Sequence, residues 1–462
     1  MLSRSVVSAI QNIVGKDYVY QDNESCEKFG VDALGQGHPA DVVVFPRSTL
    51  EVSAIARLCN DEKVPLTPRG GGTGYTGGAV PSTGGVVLVM ERFDKILSVD
   101  ESNLLAVVEP NVVTADLHRA VESVGLFYPP DPASAEKSVI GGNVAECAGG
   151  PRAFKYGTTK RYVLGLEAVL PTGEIIRTGG KSIKNVVGYD LTQLLVGSEG
   201  TLAIITQVIL RLLPKPLARS TIRAMFSSVD DAVSAVDVIM SYGVLPATLE
   251  LIDSECLRFM LEKQSLYFSS KDARALLLID VDGMPASVSE EVTRVKRACV
   301  SVGATEVMLA RDEIEQEEVW RLRRELSVTL RSVAPLKINH DVVVPKGRIP
   351  ELFSLIQTLR KEFALQIASF GHIGDGNIHV NIMLDPKDSE TVQRARQAER
   401  RLFKGVVELE GSISGEHGIG FSKAQYLGLE LSSDVISLMQ RLKSAFDPNG
   451  ILNPGKIFPL KH

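Results

Sequence analysis

The glycine-rich run PRGGGTGYTGG, residues 68–78, restricts the fold more than any other segment of this 462-residue chain. Residues 72–77 spell G-x-G-x-x-G, the fingerprint of dinucleotide-binding loops that open a helix. Here the chain continues GGAVPSTGG, and Pro81 with its neighbouring glycines prevents a helix from starting, which argues against a Rossmann fold. The bare backbone N–H groups still offer a nest for pyrophosphate oxygens, and Arg69 could add a positive charge. The alternative is a flexible surface loop.

Apolar runs typical of strands and of helices alternate around this loop. That mixture predicts an α+β or α/β domain. A β-rich run over 200–216 stops at two prolines, which places a domain boundary near residue 217. The predicted strands are 42–46, 64–68, 85–90 and 104–110, with a strand pair within 162–179, and the predicted helices are 50–63 and 114–125.

Beyond residue 217 the pattern changes to helix, strand, strand, helix, which resembles half of a ferredoxin-like sandwich. These elements are 227–243, 247–253, 273–283 and 286–303, followed by a charged helix over 313–333 and a helix over 433–445. We predict three parts: residues 1–217, residues 218–409 and a C-terminal segment 410–462. No internal repeat is visible in the sequence.

Charge and cysteine content exclude several classes of protein. The 50 basic and 56 acidic residues give a net charge of −6, which argues against nucleic-acid binding by bulk charge. The five cysteines are scattered and never form C-x-x-C, so we expect a reducing, cytoplasmic location and no iron–sulfur cluster of the usual close spacing. The N-terminal MLSRSVVSAIQNIVGKDY predicts an amphipathic helix and not a signal peptide, and no apolar run approaches the roughly 18 residues that span a membrane.

Metal-ligand side chains concentrate in two short motifs, GHIGDGNIHVNIML and SGEHGIG. His379 and Asn381 are two apart in an evident strand and therefore point to one face. His372 precedes a Gly-Asp-Gly-Asn turn that can fold it back beside His379, and Glu416 can supply a carboxylate. Two imidazoles and a carboxylate are typical of a divalent transition-metal site with open positions for a substrate. The alternative is a pair of satisfied core histidines and a solvated turn at Glu416.

Two further segments carry glycines that clear space around a backbone: residues 129–157, with PPDPASAEKSVIGGNVAECAGG, and residues 184–206, KNVVGYDLTQLLVGSEGTLAIIT. Together with the first loop, they resemble the flavin domain of FAD-dependent oxidases and dehydrogenases of the vanillyl-alcohol-oxidase type. The chain is most similar to the branch that oxidises D-2-hydroxyacids, which includes the flavin subunit of glycolate oxidase and D-lactate dehydrogenase. This resemblance implies an α+β protein with a two-part FAD-binding domain, a ferredoxin-like substrate (cap) domain, and a C-terminal helical segment that completes the active site and packs on the FAD domain.

The resemblance also implies which residues bind FAD. The first loop would wrap the pyrophosphate, the second segment would line the flavin, and the third would follow the ribityl and adenine part. The implied residues are Pro68, Arg69, Gly70, Gly71, Gly72, Thr73, Gly74, Thr76, Gly77, Gly78, Pro132, Ser134, Gly141, Gly142, Asn143, Gly149, Tyr156, Glu199, Gly200, Ile204 and Asn453. Some relatives attach FAD covalently through a His in or near the first loop, which contains none here, so we predict non-covalent FAD. Cys147 and Ala203 stand where many relatives carry Asn and Gly.

The same branch suggests roles for the histidine motifs. Residues matching His372, His379 and Glu416 bind a divalent metal, for which we expect zinc, with manganese or iron as alternatives. Residues matching Asn381 and His417 contact the substrate, and His417 would be the general base.

The charged helix supplies Arg323, whose spacing from Trp320 resembles that of the Arg that holds the substrate carboxylate in relatives. Ser327, one turn later, faces the same way. The alternative is a solvated arginine on a highly charged helix. In the next strand, LKINHDVVVP, Lys337 and Asn339 are candidate substrate-binding residues, and His340 stands where a carboxylate is expected.

We therefore predict an FAD-dependent dehydrogenase that oxidises a D-2-hydroxyacid, glycolate or D-lactate first, by hydride transfer to flavin N5. The electrons would leave to a separate acceptor: a quinone, an electron-transfer flavoprotein or an iron–sulfur subunit. The chain would then be a homodimer or part of a hetero-complex, peripheral to the inner membrane through a partner. The alternatives are an alkyl-glycerone-phosphate-synthase-like flavoenzyme, a non-catalytic electron-relay subunit, and a metal hydrolase without flavin.

Overall fold

The computed structural model describes residues 2–262 and 273–460, which divide into two units. The first unit contains residues 2–149, 157–215 and 416–460, and the second contains residues 150–156, 216–262 and 273–415. Residues 150–156 belong to the second unit, although they lie inside a glycine-rich segment of the first. The composition of this segment does not predict the change of unit. The predicted limits at residues 217 and 409 stay predictions of domain organisation.

Strands form mainly where the sequence concentrates or alternates β-branched and aliphatic residues. In residues 42–125 the predicted strands and helices are all confirmed, with ends that differ by three residues or fewer. The strands are β1 (Val19–Tyr20), β2 (Val42–Val44), β3 (Leu66–Arg69), β4 (Val86–Val89), β5 (Ile96–Asp100), β6 (Leu105–Val108), β7 (Leu126–Phe127), β8 (Val163–Val169), β9 (Ile175–Gly179), β10 (Ile204–Arg211), β11 (Leu213–Pro214), β12 (Ala218–Phe226), β13 (Thr248–Asp253), β14 (Ala275–Gly283), β15 (Glu306–Leu309), β16 (Leu336–Val343), β17 (Gln366–His372) and β18 (Asn377–Leu384).

Helices begin at polar capping residues in most cases; Ser48, for example, accepts a hydrogen bond from the Glu51 backbone N–H at 3.2 Å. The sequence analysis did not assign the helices Asn23–Lys28, Ile140–Glu146, Ala153–Tyr156, Leu191–Leu195, Ser254–Glu262, Ile349–Glu362, Ser389–Glu408 and Leu427–Glu430. The helices are α1 (Arg4–Val14), α2 (Asn23–Lys28), α3 (Thr49–Asp61), α4 (Thr114–Glu122), α5 (Ile140–Glu146), α6 (Ala153–Tyr156), α7 (Leu191–Leu195), α8 (Val229–Ser241), α9 (Ser254–Glu262), α10 (Pro285–Ser301), α11 (Glu313–Arg331), α12 (Ile349–Glu362), α13 (Ser389–Glu408), α14 (Leu427–Glu430) and α15 (Ser433–Phe446).

A small sheet of order β1-β2-β4-β3 organises the N-terminal part of the first unit. Its inner strands β2 and β4 are parallel, and every residue in both is buried. Parallel strands covered on both faces have continuous apolar sequences, which explains why VVV and VVLV could be predicted as strands from the sequence. Apolar side chains of α1 and α3 complete this core, as do Ile451 and Leu452 from the C-terminal segment.

A second sheet in the same unit has the antiparallel order β5-β6-β10-β8-β9. Strand β10 alternates strictly between buried and half-buried residues, as expected for a strand with one face toward a core. The predicted strand pair within 162–179 is confirmed as β8 and β9, joined at the Pro-Thr-Gly turn.

The second unit is built on an antiparallel sheet of order β15-β12-β14-β13-β17-β18-β16. One face packs apolar residues against α9 and α11, among them Trp320, Leu326 and Leu330 of α11. The same face also carries polar side chains, which form the candidate site described below.

The order of this sheet contains a repeat that the sequence does not display. The segment β12-α8-β13-β14-α10-β15 has the ferredoxin-like strand order 4-1-3-2, in agreement with the predicted sandwich. The segment β16-α12-β17-β18-α13 follows the same order, with its fourth strand reduced to an antiparallel bridge between Val343 and Ser412. The two copies join edge to edge where β13 pairs with β17.

Among the described residues, we find no helix whose length and apolar content would let it cross a lipid bilayer.

Candidate active site

The glycine-rich loop 68–78 leaves the end of β3 and is held at its ends by Arg69. The Arg69 guanidinium donates to the carbonyl oxygens of Phe29 at 3.4 Å and Ala79 at 3.2 Å, and lies over the Phe29 ring. Arg69 therefore fixes the loop in the first unit. The alternative of a flexible surface loop does not describe this geometry.

Close packing explains why the loop needs glycine. A Cβ on Gly70 would lie 2.6 Å from a Val139 methyl group, and one on Gly71 would lie 2.7 Å from the Lys137 carbonyl oxygen. Within the described parts of the chain, the backbone N–H groups of residues 70–74 donate no hydrogen bond to the protein. Successive backbone donors without side chains in the way suit the oxygens of a diphosphate.

Asn453, a predicted cofactor residue from the far end of the chain, ties this loop to the third glycine segment. Its side-chain amide donates to the Gly78 carbonyl oxygen at 2.8 Å and to the Glu199 carbonyl oxygen at 2.7 Å. A Cβ on Gly200 would lie 2.9 Å from Pro68. The first unit therefore brings together these predicted residues from three separate motifs.

The side chain of Glu199 binds the backbone of the SGEHGIG segment. Its carboxylate accepts hydrogen bonds from the backbone N–H groups of Ile419 at 2.7 Å and Gly420 at 2.6 Å. Burial raises the pKa of Glu199, and these two donors oppose that rise. Glu199 thus anchors the end of the SGEHGIG segment. The sequence analysis did not predict this contact.

The second glycine segment packs beside the first. Gly141 and Gly142 lie in the first turn of α5, and Asn143 in the same helix is buried and donates to Thr114 Oγ1 at 2.7 Å. Pro132 and Ser134 form the turn before it, where their carbonyl oxygens accept hydrogen bonds from the backbone.

Cys147, for which the family resemblance implies Asn in many relatives, is the left-handed C-cap of α5 with φ of 54°. Asn tolerates that conformation better than most residues, which gives a physical reason for Asn there.

Three predicted cofactor residues have other surroundings. Tyr156 belongs to the second unit, where its hydroxyl donates to Asp282 Oδ2 at 2.8 Å. Ile204 is 1% exposed and packs in the core of the small sheet. Gly149 faces Glu416, since a Cβ there would lie 2.7 Å from Glu416 Oε2.

His417 packs against the first glycine loop. Its ring lies 5.3 Å from the ring of Tyr75, and its carbonyl oxygen accepts a hydrogen bond from Thr76 Oγ1 at 2.9 Å. Glu416 Oε1 lies 3.9 Å from His417 Nε2. Sequence reasoning missed Tyr75, although it stands inside the G-x-G-x-x-G motif.

The second unit places His372 and His379 side by side on the sheet. Their ring centroids are 5.3 Å apart and the rings are nearly perpendicular, and the two residues are 5% and 6% exposed. Each Nδ1 faces a buried carboxylate: His372 Nδ1 contacts Glu250, and His379 Nδ1 lies 3.8 Å from Asp341 Oδ1. The hydrogen bond from His372 Nδ1 to Glu250 leaves Nε2 for a metal, and two adjacent buried imidazoles fit a divalent cation.

Glu250 also binds Arg323, so that one buried carboxylate serves two cations. Arg323 Nε donates to Glu250 Oε2 at 2.7 Å, Nη2 contacts the same oxygen, and the guanidinium lies 4.5 Å from the Phe370 ring centre. Burial alone would raise the pKa of Glu250, but the charges of Arg323 and His372 hold it at about 2. Because Arg323 is only 6% exposed, the alternative of a solvated arginine is wrong.

The other predicted substrate residues lie along the same part of the sheet. Lys337 Nζ donates to Ser327 Oγ at 2.6 Å, and Asn339 donates to Asn381 Oδ1 at 2.8 Å. Burial and the nearby charge of Arg331 lower the pKa of Lys337 to about 8. Asn381 is fully buried and donates to the Ala368 carbonyl oxygen.

The carboxylate expected at His340 is supplied by the next residue. His340 points to the opposite face, where its ring packs 5.3 Å from that of Phe403 and 3.7 Å from Glu399 Oε1. Asp341 pairs with His379 in the register of β16 and β18 and also accepts from the Gly415 N–H at 2.8 Å. Sequence reasoning missed both Asp341 and Glu250. The available signal was an acidic residue next to aliphatic neighbours in each strand, Glu250 between two leucines and Asp341 before two valines.

Comparisons with known proteins define the class. A family model described as an FAD binding domain matches residues 40–179, and one described as the C-terminal domain of FAD linked oxidases matches residues 215–457. The chain belongs to the FAD-linked oxidase family and is an FAD-linked oxidoreductase.

Its similarity to curated proteins is more specific. It is 41% identical to the glycolate oxidase subunit GlcD of Bacillus subtilis (strain 168) over 459 residues, which cover 99% of this chain and 97% of that protein. It is 37% identical to the subunit of the same name from Escherichia coli (strain K12) over 460 residues, 99% and 92% of the two chains. It is 36% identical to a D-lactate dehydrogenase of Anaerostipes hadrus over 432 residues, 92% and 90% of the two chains. The enzyme is therefore of the glycolate oxidase and D-lactate dehydrogenase type.

Solved structures show the same fold at low identity. p-Cresol methylhydroxylase aligns with a TM-score of 0.82 and 17% identity over 99% of this chain and 97% of that chain. 4-Ethylphenol oxidase from Gulosibacter chungangensis aligns with 0.79 and 21% over 98% and 97%, and alkyldihydroxyacetonephosphate synthase with 0.79 and 22% over 98% and 86%. These likenesses confirm the predicted vanillyl-alcohol-oxidase-type fold and carry nothing about the reaction.

Proposed function

We propose that this chain oxidises a short D-2-hydroxyacid, glycolate or D-lactate, to the 2-oxoacid and passes the electrons to a separate acceptor. The names of the similar curated proteins support the substrate class. The observation that carries the proposal is the polar cluster of the second unit, where His372 and His379 adjoin each other and Arg323 shares Glu250 with His372. A hydroxyacid needs both a polarised hydroxyl and a bound carboxylate, and this cluster contains groups suited to each.

We propose His372, His379 and Glu416 as metal ligands, with zinc as the metal. The bond from His372 Nδ1 to Glu250 and the adjacent position of the His379 ring support the two histidines. Glu416 follows Gly415 in the chain, and the Gly415 N–H is held on Asp341 in the second unit. The chemistry that such a cation supplies is Lewis acidity, which lowers the pKa of a hydroxyl group.

His417 is the proposed general base. Imidazole can accept a proton near neutral pH, and the ring is held by packing on Tyr75 and by the bond from Thr76 to its backbone. Arg323 would bind the substrate carboxylate through two nitrogens, and Lys337, Ser327 and Asn381 would contact the remaining polar atoms. These residues orient the acid so that C2 faces the acceptor of its hydride.

FAD, when bound, supplies the N5 atom that accepts this hydride. Residues 68–78, Gly141, Gly142, Gly200 and Asn453 would hold it, because the N–H groups of residues 70–74 donate no hydrogen bond within the described parts of the chain and the Asn453 amide ties this loop to the segment of Gly200. The absence of a His in residues 68–78 supports dissociable FAD. Electrons would then pass to a quinone, an electron-transfer flavoprotein or an iron–sulfur subunit; the word subunit in the GlcD names supports a protein complex.

Anaerobic reduction of the flavin by enantiopure 2-hydroxyacids tests the function. We expect glycolate or D-lactate to bleach the flavin absorbance, and L-lactate to leave it unchanged. Chemical reduction by dithionite is the control that shows the flavin is competent. A competent flavin that no D-2-hydroxyacid reduces would contradict the proposed activity.

Metal removal tests the proposed ligands separately. Dialysis against a chelator should abolish turnover with an artificial dye while the flavin absorbance remains, and added zinc should restore the rate. Full turnover after verified metal removal would show that the histidine pair has another role.

A further inference from the structure

We propose that Glu250 is a positioning residue that couples the metal-binding and carboxylate-binding halves of the site. The inference rests on the proposed function, since it concerns how His372 and Arg323 are held for their tasks.

Glu250 lies at the seam between the two ferredoxin-like copies of the second unit. In the register of β13 and β17 it stands directly opposite His372. It is fully buried, and its neighbours in the strand, Leu249, Leu251 and Ile252, are apolar and fully buried too. A charge in such a position persists only when its partners compensate for lost water.

The two carboxylate oxygens of Glu250 are divided between two cationic partners. His372 Nδ1–H donates to Oε1, which fixes the tautomer and turns Nε2 away from Glu250, the orientation that a metal-binding imidazole needs. Arg323 uses Nε and Nη2 on Oε2, which leaves the other edge of its five-donor fork for a substrate carboxylate. One side chain therefore sets the orientation of both groups.

Asp253 provides a matched comparison within the same strand. It is also a buried carboxylate that binds an arginine, with Arg360 Nη2 at 2.5 Å and the Ser369 N–H at 3.0 Å. The alternation of side chains along a strand places it on the face opposite Glu250. Removing its charge should weaken the fold in a similar way without disturbing His372 or Arg323.

The experiment uses the FAD-loaded protein, freed of metal and titrated with Zn²⁺ against a chromophoric chelator. Steady-state kinetics with glycolate or D-lactate and a dye acceptor follow on the reconstituted samples. We expect Glu250→Gln to weaken zinc binding about 10- to 100-fold. We also expect it to raise the KM for the hydroxyacid roughly 10-fold, while flavin content stays normal. Glu250→Asp, which keeps the charge, should recover part of both losses and serves if the Gln variant does not fold.

Asp253→Asn should lower the thermal unfolding midpoint but keep the zinc affinity and the KM. Wild-type zinc affinity and KM in Glu250→Gln would overturn the inference, and so would equal losses in Asp253→Asn, because they would reduce the effect to general destabilisation. If the wild-type protein binds no zinc, the proposed metal site itself fails. That result is distinct from a wild type that binds zinc and a variant that binds it equally well.

Discussion

The glycine loop 68–78 of the first unit and the sheet face around His372 in the second unit use different parts of the chain for recognition. The loop offers backbone N–H groups and excludes side chains by close packing at Gly70 and Gly71. The sheet face offers charged and imidazole side chains, among them His372 and Arg323, which both bind the buried Glu250.

The two regions should therefore fail in different ways. Adding one carbon atom to the loop disrupts the shape that we propose for binding a diphosphate, because neighbouring atoms occupy the space. Changing a side chain on the sheet face leaves the backbone in place and removes one contact or one charge. The predictions below test this difference, beginning with the most disruptive change.

The largest effect is expected from Gly77→Ala in the loop. Gly77 has φ of 80°, a conformation that alanine adopts only at a cost, and its new Cβ would collide with the Phe421 ring. We expect most of the bound FAD to be lost, with activity falling in proportion, as measured by flavin absorbance per protein after gel filtration.

Gly180→Ala in the same unit is the matched control, because a Cβ there meets no atom within 4 Å. It should retain FAD. If Gly77→Ala also retains it fully, shape exclusion is not what makes the loop a cofactor site, and the contrast with the sheet face is lost.

His417→Ala should reduce turnover by about 10²-fold or more and leave FAD bound, because it removes the proposed base without altering the loop backbone. Its neighbour Tyr75 and the Thr76 bond to its carbonyl oxygen remain. Stopped-flow flavin reduction measures the loss directly. His38→Ala, an exposed His in the same unit, should behave as wild type; near-normal reduction in His417→Ala would instead assign the base to another group.

The sequence anticipated the loop better than the sheet face, and the reason is physical. A loop such as 68–78 is read from local composition, because its glycines and Pro81 determine backbone conformation where they stand. Fully buried strands such as β2 and β4 can also be predicted from local sequence, because all of their residues are apolar.

The partners on the sheet face depend on which strands become neighbours. Glu250 and His372 are 122 residues apart and meet only because β13 pairs with β17 at the seam of the repeat. Strand order is not encoded in the alternation of a single strand, so the two histidines could be predicted but their carboxylates could not. Asp341 was missed for a smaller reason: the expected carboxylate stood one residue after His340, on the other face of the strand.

Arg323→Lys should give a smaller loss than His417→Ala, roughly a 10-fold rise in KM with little change in kcat, because lysine keeps the charge but not the two-nitrogen contact. The measurement is steady-state kinetics with D-lactate or glycolate. Arg360→Lys is the matched control, since Arg360 binds a buried carboxylate on the opposite face. Equal changes in both variants would indicate lost stability and not lost substrate binding.

The smallest effect is expected from pH, through Lys337. Because burial lowers its pKa from 10.5 to about 8, the folded protein releases this proton before the unfolded chain does. The burial penalty is therefore fully present below pH 8, and stability should rise between pH 8 and 10.5 relative to Lys337→Met, which lacks the slope. If the ammonium group also binds the substrate carboxylate, the KM should rise above pH 8 in the wild type, roughly fourfold by pH 8.5, and stay flat in Lys337→Met. Denaturant unfolding and KM measured across this range check the two slopes. A wild-type KM that does not change while the stability slope appears would place Lys337 in the structure of the sheet face and outside substrate recognition.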